Sequence, residues 1–112
     1  FFDKRINRAV KAGINEKQII IDPGIGFGKT IKHNDEIIRD LSKIKALGLP
    51  VLIGLSRKSF LSFNQNKSLD RLASSIAFGS IAVNNGADIV RTHDINQSIE
   101  VFSLIDRLLR KN

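Results

Sequence analysis

The sequence predicts an α/β protein with a parallel β-sheet, and three short apolar runs support this prediction. Residues 19–22, 51–55 and 89–92 carry consecutive aliphatic residues, and each run leads into glycine or into polar and charged residues. Continuous apolar strands are typical of parallel sheets that are buried on both faces. The segments between the runs have helical spacing and no hairpin signal, so strands and helices should alternate.

The first elements follow from local signals. A helix ends within residues 1–13, because its apolar residues share one face and Gly13 is a favourable C-terminal stop. Residues 19–22 are predicted to form the first strand, since three consecutive isoleucines suit burial on both faces. Residues 23–30 form a glycine-rich loop directly behind that strand.

Two further strand–helix units follow. Asn34 can cap a helix that runs to about Leu47, and the second strand occupies residues 51–55. The next helix begins at residue 68 or 69 and ends near residue 85, before the third strand. A last amphipathic helix is predicted over residues 96–111.

The number of units limits the architecture. About three strand–helix units fit either an open α/β sheet or the C-terminal part of a (β/α)8 barrel, whose usual length is roughly 250 residues. No linker divides the chain, so we expect a single structural piece. The first residue is Phe1 rather than methionine, so we expect the true N-terminus to lie upstream.

Composition excludes several classes of function. The net charge of +7 suits an anionic small substrate, but the basic residues are scattered among acidic ones and form no clustered face for nucleic acid. No apolar run approaches the roughly 20 residues that are needed to cross a bilayer. The chain has no cysteine, which excludes disulfides and thiolate metal sites and fits a reducing, cytoplasmic compartment.

The glycine-rich loop is similar to a nucleotide-binding P-loop but fails one requirement. Gly28, Lys29 and Thr30 match the end of the P-loop pattern, whereas Pro23 stands where its first glycine belongs. Proline has no N–H group to offer a phosphate. A nucleotide-binding α/β domain is therefore a weaker reading, and a basic nucleic-acid-binding module is weaker still.

Charged and polar residues follow all three strands, which predicts a site at one edge of the sheet. Asp22 can act as a turn residue or accept from the N–H groups of a ligand. Lys58 follows the second strand, and a helix beginning near Ser59 would create an anion site there. Arg91 and His93 alternate onto one side of the third strand and suit a phosphate or pyrophosphate. No cluster with metal-ligand spacing is present.

Three motifs, taken together and in order, resemble the C-terminal motifs of the dihydropteroate synthase family. They occupy residues 22–29, 54–59 and 89–94, and the resemblance covers essentially the whole chain. It implies a (β/α)8 barrel, in which residues 1–112 would be the C-terminal part of a single pterin-binding domain. The chain would then contain the end of helix 5 followed by strands 6 to 8 and their helices.

The resemblance also implies a reaction. Family members condense 6-hydroxymethyl-7,8-dihydropterin pyrophosphate with p-aminobenzoate, which gives dihydropteroate and pyrophosphate for folate synthesis, and sulfonamides compete with p-aminobenzoate. Asp22 would bind the 2-amino and ring N–H groups of the pterin, and Lys58 would bind its carbonyl oxygen and ring nitrogen. Gly54 would lie in the same pterin pocket, and Arg91 would stack on the pterin.

The remaining roles concern the second substrate and the leaving group. Phe27 and Ser59 would bind p-aminobenzoate, the first near its ring and the second at its carboxylate. Arg91 and His93 would hold the pyrophosphate, and with Lys58 they are the expected catalytic residues. Thr92 departs from the family pattern, in which an aliphatic residue is commoner, and we expect it to matter little because it faces away from Arg91.

The N-terminal half of the family pattern is absent, including the loops that hold Mg2+ with pyrophosphate in the family. We therefore expect this chain to be inactive and poorly folded alone, with an uncovered strand edge and exposed apolar helix faces. The resemblance implies a homodimer in the full-length enzyme. The main alternative is a pterin-binding methyltransferase domain, which binds a methylated folate without condensing it.

Overall fold

Helices and strands alternate along the chain, as the sequence predicts. The computed structural model describes residues 1–26, 29–56 and 71–109. Within these ranges the elements are α1 (Phe2–Lys11), a 3-10 turn (Glu16–Gln18), α2 (Ile31–Arg39), α3 (Leu41–Lys45), β1 (Leu52–Gly54), α4 (Arg71–Asn84), β2 (Ile89–Arg91) and α5 (Ile95–Leu109).

The strands are parallel, which places their carboxyl ends at the same edge of the sheet. β1 pairs with β2, and Gly54 is the register partner of Arg91 at the end of both strands. Ile21 joins β1 through a parallel bridge to Val51. Because all three segments run in one direction, the residues that follow them converge, as the sequence analysis requires.

The core lies between the sheet and the helices that follow it. Its buried members are aliphatic side chains from the glycine-rich loop, from α2 to α4 and from the second strand segment, namely Ile25, Ile38, Leu41, Val51, Ile53, Leu55 and Ala82. On the outer side, α4 packs against α5 through Gly79. A Cβ atom at Gly79 would lie only 2.5 Å from the Phe102 ring, so glycine allows these two helices to approach closely.

The helix predicted over residues 34–47 is wrong in two respects. The residue that caps α2 is Thr30, whose Oγ1 accepts a hydrogen bond from the N–H of His33 at 3.1 Å. Asn34 lies inside the first turns of α2 and is only 1% exposed. The helix also breaks at Asp40, whose φ of −103° and ψ of 21° depart from helical geometry and separate α2 from α3.

The other predicted boundaries hold to within a few residues, except for the first strand. Residues 19–22 were expected to pair as a strand, but within the described part of the chain only Ile21 forms a bridge. Ile19 closes the preceding 3-10 turn, and Ile20 is 51% exposed, so neither contributes to the ladder. The expected start of a helix near residue 68 lies outside the described residues.

Large apolar side chains remain exposed on the helices. On α5, Ile95 and Ile99 are each 61% exposed and Leu108 is 79% exposed. This pattern agrees with the expectation that apolar helix faces are left uncovered in this chain. Among the described residues, no helix is both long enough and apolar enough to cross a membrane.

Candidate functional site

The candidate site lies where the three strand segments end. Asp22 directly follows the bridge residue Ile21, and Arg91 ends β2 beside Gly54 of β1. The structure therefore brings together Asp22, Gly54, Arg91 and His93 from the predicted set. Phe27, Lys58 and Ser59, which were assigned to p-aminobenzoate and to the pterin, lie outside the described residues.

Glycine at position 54 gives the Arg91 side chain its place. A Cβ atom on Gly54 would lie 2.5 Å from Arg91 Nη2 and 2.9 Å from Cζ, so the guanidinium group lies directly over this glycine. Any larger residue would displace the guanidinium from the surface of the sheet. Gly54 and Arg91 are thus register partners in the parallel sheet, and the absence of a side chain on Gly54 leaves room for the Arg91 guanidinium.

Asp22 and Arg91 form a long ion pair at this edge. The distance from Arg91 Nη1 to Asp22 Oδ2 is 3.7 Å, and the two side chains are 55% and 40% exposed. Charge-assisted hydrogen bonds are about 2.7–2.9 Å long, so this contact is electrostatic and leaves donors and acceptors for a ligand. The other carboxylate oxygen of Asp22 accepts from the N–H of Gly24 at 2.9 Å, which fixes the orientation of the carboxylate.

A hydrogen bond between the ends of the two strands positions His93. The backbone N–H of His93 donates to Ser56 Oγ at 2.9 Å, and Ser56 follows β1. The His93 side chain is exposed. A cleft of about 100 Å3 opens here, and its lining residues are Gly54, Ser56, Arg91, Thr92 and His93. Arg91 and His93 share this cleft, as the predicted alternation requires.

Thr92 has a larger structural role than its position beside Arg91 predicts. Its Oγ1 accepts from the N–H of Asp94 and from Ser98 Oγ, each at 3.0 Å, and it lies 3.4 Å from Ser56 Oγ. These hydroxyl contacts connect the end of β1 to the beginning of α5. The sequence alone did not predict this connection. The pattern that could have indicated it is a hydroxyl residue shortly after each strand, Ser56 after β1 and Thr92 after β2.

The glycine-rich loop is held by contacts with its own flanking residues. Gly24 and Gly26 have φ angles of +73° and +85°, which side-chain-bearing residues rarely adopt. Lys29 Nζ donates to the Gly24 carbonyl oxygen at 3.1 Å, so this lysine is engaged with the loop itself. The N–H of Gly26 donates to Oδ1 of the buried Asn34 at 2.9 Å.

Within residues 1–26, 29–56 and 71–109, no group of three or more histidine or acidic side chains could hold a metal ion. The arrangement supplies instead one carboxylate, one guanidinium, one imidazole and backbone groups at the edge of a parallel sheet. Such a set can bind a planar ligand that has N–H donors and a phosphate group.

Comparisons with known proteins agree with this arrangement. A family model described as "Pterin binding enzyme" matches residues 1–93. The dihydropteroate synthase of Escherichia coli K12 is 36% identical over 111 residues, which cover 97% of this chain and 39% of that protein. The enzyme of Haemophilus influenzae is 43% identical over 96 residues, which cover 85% of this chain and 35% of that protein.

Solved structures match the fold over almost the whole chain. A structure of Xanthomonas albilineans dihydropteroate synthase with 4-aminobenzoic acid has a TM-score of 0.93 at 32% identity, and the match covers 100% of this chain and 42% of that one. A sulfonamide complex of the Yersinia pestis enzyme has a TM-score of 0.91 at 36% identity, covering 96% and 40%. The chain thus spans about two-fifths of the length of these relatives.

Proposed function

Because the chain belongs to the family of pterin-binding enzymes, we propose that it is the C-terminal part of a dihydropteroate synthase. The whole enzyme would be a transferase that condenses 6-hydroxymethyl-7,8-dihydropterin pyrophosphate with p-aminobenzoate, releasing pyrophosphate. The observation that carries the proposal is the position of the Arg91 guanidinium over Gly54, 3.7 Å from the Asp22 carboxylate, at the carboxyl edge of a parallel sheet.

The same proposal assigns residues 1–112 to a single (β/α)8 domain, as strands 6 to 8 and the helices around them. Two features support this placement. Ile21, β1 and β2 follow one another as parallel segments in chain order. A cleft of about 740 Å3 runs beside β2 and α5, and its walls include Val90, Ile99 and Phe102, so apolar surface is available for a further strand and helix.

The pterin is expected to bind at Asp22, Gly54 and Arg91. The 2-amino and ring N–H groups of the pterin are donors, and Asp22 Oδ2 is an acceptor whose contact with Arg91 Nη1 is long, at 3.7 Å. The flat surface at Gly54 allows a planar ring and a guanidinium to stack. Lys58 would bind the pterin carbonyl oxygen and ring nitrogen, as the family resemblance implies.

The second substrate and the leaving group are assigned to neighbouring residues. Phe27 and Ser59 are proposed to bind p-aminobenzoate, on the family resemblance alone. Arg91 and His93 are proposed to hold the pyrophosphate, and their common cleft with Ser56 supports this assignment. Arginine and histidine side chains at one site suit the high negative charge of a pyrophosphate.

The chemistry requires positioning and charge stabilisation. The amine nitrogen of p-aminobenzoate attacks the methylene carbon of the pterin, the bond from that carbon to the pyrophosphate oxygen breaks, and the amine loses a proton. Negative charge grows on the leaving group, and Arg91 and His93 can stabilise it. Asp22 fixes the pterin plane relative to the amine. No side-chain nucleophile is needed.

The remaining family properties stay proposals for the whole enzyme. Mg2+ would be held with the pyrophosphate by groups largely outside this chain, as the family resemblance implies. No step above depends on that ion. We also propose a homodimer in the cytoplasm that binds neither nucleic acid nor membranes.

The test is a condensation assay on the full-length protein that contains this chain, with the 112-residue chain assayed in parallel. Labelled p-aminobenzoate and the pterin pyrophosphate are supplied, and labelled dihydropteroate is measured. We expect product from the full-length protein alone, because the chain spans 39% of the Escherichia coli relative. A well-folded full-length protein that binds a methylated folate and forms no dihydropteroate would contradict the proposal and favour a pterin-binding methyltransferase.

A further inference from the structure

Asn34 occupies a position where a polar side chain is unexpected. It is 1% exposed, and it lies on the same face of α2 as the buried Ile38, four positions further along the helix. Buried polar side chains are normally fully hydrogen-bonded, because an unpaired polar group loses its hydration without compensation. The amide nitrogen of Asn34 is buried and has no hydrogen-bond partner within the described part of the chain. An aliphatic side chain would suit this helix position better for stability alone.

The other half of the amide explains why asparagine is present. Asn34 Oδ1 accepts a hydrogen bond from the N–H of Gly26 at 2.9 Å, across eight positions of sequence. Gly26 has a φ of +85°, so its N–H direction is set by a backbone conformation that few residues adopt. α2 is in turn anchored by the Thr30 cap and by the buried Ile38. Asn34 therefore transmits the rigidity of the helix to the middle of the glycine-rich loop.

Among the contacts of the described loop residues, two hydrogen bonds act on different parts of the loop. Asp22 is oriented by its own short contact with the N–H of Gly24 at 2.9 Å, which does not involve the helix. Gly26 depends on Asn34 instead. Gly26 immediately precedes Phe27, the residue assigned to the ring of p-aminobenzoate. Losing the Asn34 contact should therefore affect p-aminobenzoate more than the pterin.

We propose that Asn34 is a positioning residue that holds Gly26 in place and thereby favours the binding of p-aminobenzoate. This inference rests on the proposed function, since it names a determinant for one substrate of that reaction. It assigns Asn34 no contact with either substrate. Its cost is a buried amide nitrogen that finds no partner among the described residues, so this position lowers folding stability while it orders Gly26.

The decisive variant is Asn34→Leu in the full-length protein, because leucine has the same branched arrangement of side-chain heavy atoms and no polar group. We expect the KM for p-aminobenzoate to rise about tenfold, as for the loss of one hydrogen bond, with the KM for the pterin pyrophosphate little changed. The thermal midpoint should stay the same or rise. Asn34→Asp keeps the acceptor for Gly26 near the positive end of α2, so it should restore the KM for p-aminobenzoate towards the wild-type value.

The matched control is Ile38→Val, a second buried position on α2 whose apolar side chain cannot accept a hydrogen bond from the Gly26 N–H, which donates to Asn34. It should lower the thermal midpoint and leave both KM values unchanged. A merely structural role for Asn34 would make Asn34→Leu behave like this control, with lower stability and equal effects on both substrates, and that result would overturn the proposal.

Amide hydrogen exchange provides a readout that does not require activity. The Gly26 N–H should be protected in the wild-type protein, exposed in Asn34→Leu and protected again in Asn34→Asp. A rapidly exchanging Gly26 N–H in the folded wild-type protein would overturn the proposal without any variant. If the wild-type protein makes no dihydropteroate, the proposed function fails, and the exchange pattern alone decides whether Asn34 holds the loop.

Discussion

The two ends of the β-sheet each carry an aspartate paired with a basic side chain, and the two pairs differ in geometry. At the amino end, Asp88 Oδ2 lies 2.7 Å from Lys45 Nζ and also accepts from the N–H of Val51 at 2.9 Å. At the carboxyl end, Asp22 Oδ2 lies 3.7 Å from Arg91 Nη1. Burial does not explain the difference, because Asp88 and Asp22 side chains are each 40% exposed.

We infer from this difference that the amino end of the sheet supports the fold, whereas the carboxyl end, under the proposed function, binds the ligand. Asp88 joins the start of β2 to the start of β1 and to α3, and its hydrogen bonds hold adjacent segments together. Asp22 and Arg91 interact without closing a short hydrogen bond, so both retain groups that can bind a ligand. We therefore expect substitutions at the amino end to change folding and those at the carboxyl end to change binding.

Arg91→Ala in the full-length protein should have the largest effect. Removing one group that stabilises transition-state charge lowers kcat by about 100-fold or more, whereas the free energy of unfolding should change by less than about 0.5 kcal/mol for an exposed side chain. Steady-state kinetics and thermal unfolding measure the two quantities. Arg39→Ala, an exposed arginine on α2, is the matched control and should change neither. A large loss of stability in Arg91→Ala would contradict the expectation that the carboxyl end of the sheet contributes little to folding.

Gly54→Ala should have the next largest effect. The added Cβ would displace the Arg91 guanidinium. Misplacement of a binding group by about 1 Å can lower a reaction rate by up to about 100-fold. We therefore expect kcat/KM to fall about tenfold. Folding should be little affected, since the guanidinium can move. Gly48→Ala is the opposite control: φ there is +88° with no atom within 4 Å of an added Cβ, so only stability should fall.

Asp88→Asn should reduce stability and leave catalysis unchanged. The amide can still accept from the N–H of Val51, so the loss is the interaction with Lys45, about 1 kcal/mol for a partly exposed pair. Chemical denaturation measures this loss. Asp22→Asn makes the same chemical change at the other end of the sheet and should weaken pterin binding without destabilising the fold. Equal stability losses in the two variants would contradict the comparison.

The contribution of Asp88 should also depend on pH. Burial raises the pKa of Asp88, but the hydrogen bonds from Lys45 and from the N–H of Val51, with the Lys45 charge, outweigh burial and leave the pKa below its ordinary value of 3.8. A lowered folded-state pKa means that the stabilisation is present above 3.8 and is lost as the pH falls through the folded-state value. The stability difference between wild type and Asp88→Asn should therefore shrink only in acid.

Thr92→Val should reduce stability about as much as Asp88→Asn does, and it tests whether a residue next to Arg91 serves the fold alone. Valine keeps the shape of threonine but removes the oxygen that accepts from Asp94 and Ser98, so we expect a stability loss of about 1 kcal/mol. Catalysis should remain close to wild type, because the Arg91 side chain keeps its place over Gly54. Urea denaturation with a parallel activity assay tests this expectation. A large loss of activity with unchanged stability would contradict this expectation and would indicate that Thr92 contributes to substrate binding.

The sequence predicted the parts of the fold that depend on local chemistry. The aliphatic runs identified β1 and β2, and the motifs predicted that Asp22 and Arg91 would meet at one edge. Local signals failed where a tertiary contact decided the outcome. Asn34 has a good capping side chain, but Thr30 caps α2 because the Asn34 amide is held in the core by its contact with Gly26.

Contacts between distant residues were beyond sequence reasoning. Lys45 and Asp88 are 43 positions apart, and nothing in either local pattern indicates that they meet. The connection from Ser56 to His93 spans 37 positions and is likewise invisible in the sequence. The roles of Phe27, Lys58 and Ser59 stay predictions, because those residues lie outside the described part of the chain.

The most direct test of the comparison is a double-mutant cycle of Asp22→Asn and Arg91→Ala in the full-length protein. Thermal unfolding is measured with and without the pterin pyrophosphate, so one experiment reports folding and binding together. Without ligand, we predict that the coupling energy between Asp22 and Arg91 is below about 0.5 kcal/mol, as for an exposed ion pair. In each single variant, the pterin pyrophosphate should raise the thermal midpoint much less than it does in the wild-type protein. A strong Asp22–Arg91 coupling without ligand, with the full ligand-induced rise of the thermal midpoint in both single variants, would contradict this prediction. It would mean that the pair stabilises the fold and does not bind the pterin.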